Sequence, residues 1–135
     1  MSSREQKIAQ RTQSSITRVT KTIFPGMTNH HNTLFGGQAL AWMDDVAFVA
    51  ATRFCRKPLV TVSSEKIDFK EPIPEGTFAE LVAQVIYVGN TSLKVQVDIF
   101  LENMYEDNQH KAISGIFSFV ALDENKRPTA VLTSE

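Results

Sequence analysis

The chain has 135 residues, a formal charge of −1 and 21% charged residues of mixed sign, a size at which one domain buries a real core without disulfide or metal staples. A pI near 6.3 and the lack of any basic run argue against nucleic acid as the main partner. No stretch reaches the ~20 uninterrupted apolar residues of a membrane span, and the single cysteine with a polar start (MSSREQKIAQRTQSS) points to the cytoplasm or another reducing compartment.

In chain order, residues 1–15 read as a polar arm. The β-branched run 16–24 (ITRVTKTIF) reads as a strand, ended by the Pro25-Gly26 turn. An irregular loop, MTNHHNTLF, leads into a long helix that begins at Gly36, runs through residue 54 and stops near Arg56, Lys57 and Pro58. Four more strands follow, over 59–69, 77–88, 92–102 and 112–122. The second is entered from the PIPEG turn, and Gly89-Asn90 joins it to the third as a tight hairpin. That third strand alternates Leu93, Val95, Val97, Ile99 and Leu101 with polar residues, the pattern of a half-buried face. A short polar tail, 129–135, closes the chain after a single domain over 16–128.

The helix, GGQALAWMDDVAFVAATRF, carries two adjacent carboxylates in an apolar run. An ionised carboxylate loses hydration worth several kcal/mol when buried, so a partner, a local exit to solvent or chemistry must retain it. Rotation at ~100° per residue gathers Leu40, Met43, Ala47, Ala50, Ala51 and Phe54 on one side and sets Asp44 at the edge of that stripe. Asp45 shares the opposite face with Ala41, Phe48 and Thr52. Asp44 is therefore the candidate reactive group.

One long apolar helix against five strands implies an α+β fold in which a single curved antiparallel sheet, of five strands or more, wraps the helix. Trp42, Val46 and Val49 fall outside the apolar stripe, and one sheet does not cover them. A second copy of the chain is expected to, in a symmetric dimer. Metal chemistry has little to stand on: His30, His31 and His110 are the only histidines, two of them neighbours, and Cys55 has no CxxC partner. Cys55 reads as a small buried residue. No GxxxxGK or GxGxxG run is present, and Gly36-Gly37 is too short to be either.

The runs TNHHNTLFGGQALAWMDD, VTVSSEKIDFKEPIPEG, VGNTSLKVQV and SFVALDENKRP, in this order and spacing across residues 16–128, resemble the acyl-CoA thioesterases of the hot-dog superfamily, the group of the broad-range bacterial and brain-type acyl-CoA hydrolases. The resemblance implies a hot-dog fold and hydrolysis of acyl-CoA to a free acid and CoA. It also implies Asp44 as the catalytic carboxylate, Asn29 as its partner from another subunit, and a homodimer assembled into a hexamer or tetramer. No cofactor is implied beyond the CoA of the substrate. One departure is Asn32, where the family often has glycine; asparagine tolerates a left-handed backbone, so the loop shape is expected to survive.

The chemistry can also be built from the residues. Thioester hydrolysis needs a nucleophile or activated water, donors for the developing oxyanion and a place for a long anionic handle. Asp44 suits either a general base or a direct nucleophile. The amides of Gly36 and Gly37 at a helix N-terminus suit the oxyanion. Asn29 suits orientation of the water or the carbonyl, unless it only bonds its own loop. For the handle, Gly89, Asn90, Thr91 and Ser92 offer backbone and hydroxyl groups, and Lys70, Lys126 and Arg127 offer charge. Two other functions fit the fold: a dehydratase of hydroxyacyl thioesters, which needs a histidine facing the helix carboxylate, and a non-catalytic acyl-CoA sensor.

Overall fold

A computed structural model describes residues 3–133. Its elements are α1 (Arg4–Ser14), β1 (Thr17–Thr22), a 3-10 turn (Pro25–Met27), α2 (Gly36–Cys55), β2 (Leu59–Phe69), β3 (Thr77–Val88), β4 (Ser92–Asn103) and β5 (Gln109–Ala121). The five strands form one sheet in the order β1-β3-β4-β5-β2, every neighbouring pair antiparallel. All five strands contact α2, so the sheet wraps the helix as the apolar patterning requires.

The core follows from strand alternation. Leu93, Val95, Val97 and Ile99 of β4 are fully buried beneath α2, next to Leu81, Ala83 and Val85 of β3 and Phe117 and Phe119 of β5. The β3–β4 turn closes tightly through a 2.8 Å bond from the Gly89 amide to the Ser92 carbonyl. Helix α2 ends where Arg56 turns left-handed (φ 54°) and returns its amide to the Thr52 carbonyl. Pro58 follows, with no amide to continue the helix.

Gly115 of β5 makes room where side chains of α2 and of the neighbouring strand β2 meet. A Cβ built on it lies 2.4 Å from Ile67 Cδ1 and 3.1 Å from Met43 Cε, so the strand holds glycine where side chains from α2 and β2 meet over it. Gly115→Ala is expected to destabilise the fold by about 1–3 kcal/mol through overpacking. Adding Ile67→Val should recover part of that loss in denaturant titrations; equal losses in the single and double mutants would place the strain elsewhere.

Five expectations need correction. Within the polar arm Arg4–Ser14 form a helix, residues 1 and 2 lying outside the described residues: Ser3 Oγ accepts the Gln6 amide and Gln6 Oε1 accepts the Ser3 amide, a capping box that starts α1. Ile8 packs α1 on the core. The tail is only partly polar, since Val131 and Leu132 are buried in the core. Val46 lies inside the fold, 3% exposed, because the wrapped sheet covers a wider arc of α2 than the stripe suggested. Leu40 is only half-buried, and β5 begins at Gln109, three residues earlier than expected.

Candidate active site

Asp44 sits in the third turn of α2, half-buried, while Asp45 faces outward with Ala41 and Phe48. Across from it, Thr61 near the start of β2 donates its hydroxyl proton to Asp44 Oδ1 at 2.9 Å. This bond fixes one carboxylate oxygen and leaves the rest of the group's acceptor capacity for a water or a substrate. The pair stands on a groove of about 470 Å³ whose helix wall is Gly37, Leu40, Ala41 and Asp44. Residues 61–64 of β2 form the opposite wall and Phe117 the floor. One side is thus hydroxyl-rich and the other apolar, as a reacting ester beside a hydrocarbon chain demands.

The same wall leads back to the start of α2. Phe35 is the N-cap and supplies no side-chain cap, and the amides of Gly36, Gly37 and Gln38 have no hydrogen-bond partner among the described residues. Three free donors at the positive end of a 20-residue helix suit a developing negative charge. The ring of Phe69 lies against Gly36, 3.6 Å from the position of an added Cβ.

Asn29 organises the loop before the helix. Its Oδ1 accepts the His31 amide at 2.9 Å, the Thr33 amide at 3.3 Å and the Thr33 hydroxyl at 3.2 Å. The self-bonding turn weighed from the sequence is therefore present, yet it engages only the oxygen. The side-chain NH2 has no partner among the described residues and is free to donate. Asn32 is left-handed, φ 62°, as its substitution for glycine required. Neither Asn29 nor Gly36 lines the Asp44 groove of the same chain.

The residues considered for the CoA handle divide. The hairpin Gly89-Asn90-Thr91-Ser92 is bonded to the chain's end, with the Ala121 amide on the Thr91 carbonyl and the Val131 amide on the Asn90 carbonyl, both at 2.9 Å. Lys126 and Arg127 lie in the turn between those two contacts, where Asp123 Oδ1 accepts the Asn125 and Arg127 amides at 2.8 and 3.0 Å. Lys70 stands apart. Its amide bonds the Ala112 carbonyl at the far end of β2, about 30 Å along a strand of this length.

Thr61 was not singled out by the sequence, whereas the other polar residues set aside there behave as ordinary structure. His30 and His31 are exposed and lie tilted against each other, ring centroids 3.8 Å apart. Burial pushes the Cys55 thiol up from its ordinary pKa, which disfavours the thiolate a nucleophile needs. On the outer face of the sheet, Lys94 holds the Glu65 carboxyl below its usual range through a 2.7 Å bond.

Residues 31–107 match the sequence model of the thioesterase superfamily. The chain belongs to that superfamily. It is 38% identical over 112 residues to the uncharacterised acyl-CoA thioester hydrolase YkhA of Bacillus subtilis, covering 83% of this chain and 65% of that relative's length. The fold of the acyl-CoA hydrolase from Staphylococcus aureus, determined with butyryl-CoA, CoA and CoA disulfide, superimposes with a TM-score of 0.85 at 33% identity, over 88% of this chain and 73% of that one. That hydrolase has also been determined with an aspartate, a threonine or an asparagine replaced by alanine. A hexameric acyl-CoA thioesterase gives the same TM-score of 0.85 at 31% identity, over 88% of this chain and 76% of that one. Among the described residues, no helix of this thioesterase-superfamily chain is long and apolar enough to cross a membrane.

Proposed function

We propose that the protein hydrolyses acyl-CoA thioesters to a free carboxylic acid and CoA, at sites completed by a second copy of the chain, with no cofactor beyond the CoA of the substrate. The observation that carries this reading is the Asp44 carboxylate held by Thr61 on the wall of a half-apolar groove. As a general base, Asp44 takes a proton from water while the water oxygen bonds the thioester carbon. The tetrahedral oxyanion collapses, the C–S bond breaks and the CoA sulfur takes the proton. As a nucleophile, Asp44 instead bonds that carbon, expels the thiol and leaves an anhydride for water to cleave. Both routes need oxyanion donors, and the Gly36 and Gly37 amides and the Asn29 NH2 supply them.

Those donors are best brought to Asp44 by another subunit. Gly37 and Asp44 are seven residues apart on one helix, about 10 Å at ~1.5 Å per residue, whereas catalytic contacts need ~3 Å. A dimer axis relating two antiparallel α2 helices sets the N-terminus and Asn29 of one chain beside Asp44 of the other. The surface suits such pairing. Strand β2 is an edge of the sheet with Val60, Val62 and Phe69 exposed by 42, 54 and 50%, a long apolar edge that proteins keep covered. The Staphylococcus aureus variants alter an aspartate, a threonine and an asparagine, the three residue types assigned here to Asp44, Thr61 and Asn29, which supports the assignment.

Release of free thiol from acyl-CoAs of graded chain length tests the activity directly. A CoA sensor binds without release, and a dehydratase acts on hydroxyacyl-CoA without freeing thiol. For the assembly, light scattering at micromolar concentration should give a multiple of the dimer, a hexamer more readily than a tetramer. A stable monomer would remove the shared site.

A further inference from the structure

Strand β2 breaks its pairing with β5 a second time just past the groove. Ser64 pairs with Phe117, the groove floor, but between the pairs Glu65–Ile116 and Asp68–Ser114 two residues, Lys66 and Ile67, stand opposite Gly115 alone. Two residues against one make a bulge, a device that re-aims a side chain. Lys66 carries it on a left-handed backbone, φ 54°, which costs an L residue roughly 1 kcal/mol or more.

The bulge decides which side chain meets Gly115. Plain alternation from Ser64 would turn Lys66 inward next, a charge over an apolar floor. The extra residue turns Ile67 inward instead, and its Cδ1 together with Met43 Cε fills the space over Gly115. Lys66 is exposed and lines a hollow of about 170 Å³ on the outer face of the sheet with Gln96, Ser114, Gly115 and Ile116. On β5 the buried positions alternate through Ile113, Gly115 and Phe117, so Gly115 continues the floor roughly 6.6 Å beyond Phe117, two residues of strand. The lining of the Asp44 groove stops at Phe117 and Ser64. What closes it in this direction is therefore the tip of one half-buried isoleucine and a methionine methyl, with a glycine beneath them and a hollow behind.

We propose that Ile67 is the stop of the acyl groove: the hydrocarbon chain runs from the Asp44–Thr61 pair over Phe117 and halts against Ile67, which thereby sets the longest acyl group the site holds. The proposal rests on the acyl-CoA reading above and names what limits its substrate. An apolar stop suits the methyl end of such a chain, since neither surface loses a hydrogen bond when they meet.

Thiol release from straight-chain acyl-CoAs, butyryl to palmitoyl, tests the stop. In the parent, kcat/KM should gain up to about fourfold for each methylene newly buried until the chain reaches Ile67, and then level off or fall. Ile67→Ala should move that break to longer chains and raise kcat/KM for the first chains beyond the parent's break by about tenfold or more, the gain from burying two or three further methylenes. Ile67→Val, which trims only the Cδ1 over Gly115 and disturbs the fold less, should move it the same way by a smaller step. Adding Gly115→Ala to Ile67→Ala puts a methyl back into the opening and should return the break toward the parent's. A merely structural role of Ile67 lowers kcat/KM at every length alike and leaves the break in place; that result, or a parent with no break up to palmitoyl, overturns the stop. If the parent frees no thiol from any acyl-CoA, the hydrolase reading falls, and calorimetric binding of the same acyl-CoAs decides the stop separately: a break in affinity that moves in Ile67→Ala sustains it, and one that stays overturns it.

Discussion

Replacing Asp44 with asparagine is expected to reduce kcat by about 10²–10⁴-fold, the range for loss of a positioned acid or base, while the protein keeps its fold and still binds CoA. The amide preserves volume and can still accept the Thr61 hydroxyl proton, a bond of 2.9 Å in the parent, so the groove keeps its shape. It has no basic oxygen to take a proton and no charge with which to attack a carbonyl. Asp45→Asn should change turnover little, since that side chain points to solvent with Ala41 and Phe48. Thr61→Val should fall between the two, because it removes one charge-assisted hydrogen bond, worth about 1.5–3 kcal/mol, without removing the base. Circular dichroism and CoA binding separate these losses from unfolding. Equal effects of Asp44→Asn and Asp45→Asn on kcat would overturn the assignment of Asp44.

The contrast between the two aspartates was readable from helix phase alone, as were most element boundaries. Strands β2 and β3 occupy the expected spans, and α2 ends one residue later than its apolar run suggested. These elements are long, strongly patterned and punctuated by glycine and proline, so local chemistry and tertiary packing agree on them. Where the two diverge, the sequence reading failed. Helix α1 has a single large apolar residue facing the core, Ile8, too weak a period to announce a helix. The Ser3–Gln6 capping box was the available signal. Val46 is buried because the arc of a helix that a curved sheet covers depends on the sheet's closure, which no helical wheel contains.

The site was readable in part for a similar reason. Asp44, Gly36 and Gly37 lie within one helix, where spacing fixes direction. Thr61 is 17 residues from Asp44 on another element. The strand pattern around it, with both neighbouring valines exposed and a register shift between Thr61 and Ser63, breaks the alternation that predicts which way a side chain points. Lys70 failed to join the other handle residues for a topological reason: β2 carries it to the opposite end of the sheet. Only a partner chain can bring such a residue back toward a site, and the same holds for Asn29.

Sharing of the site between subunits predicts complementation. Asn29→Ala removes the free NH2 and Asp44→Asn removes the base, so each variant alone should be nearly inactive. In a mixed dimer one site takes both defects, and the other is built from the intact Asn29 of one chain and the intact Asp44 of the other. Random reassembly of equal amounts makes half of the dimers mixed and half of their sites intact, so activity should return to about a quarter of the parent value. The experiment requires partial unfolding and refolding of the mixture, with differently tagged subunits to count the mixed dimers. Asn29→Ala also removes the acceptor that ties His31 and Thr33, so a loosened loop accounts for its low activity just as well in the single variant. Complementation is expected under either explanation, because the Asn29→Ala chain supplies only an intact Asp44 to the restored site while its own damaged loop faces the site already lost. Mixed dimers that form and stay as inactive as their parents would mean that Asp44 works with donors of its own chain, and that the 10 Å between Gly37 and Asp44 is spanned by the substrate rather than closed by a partner.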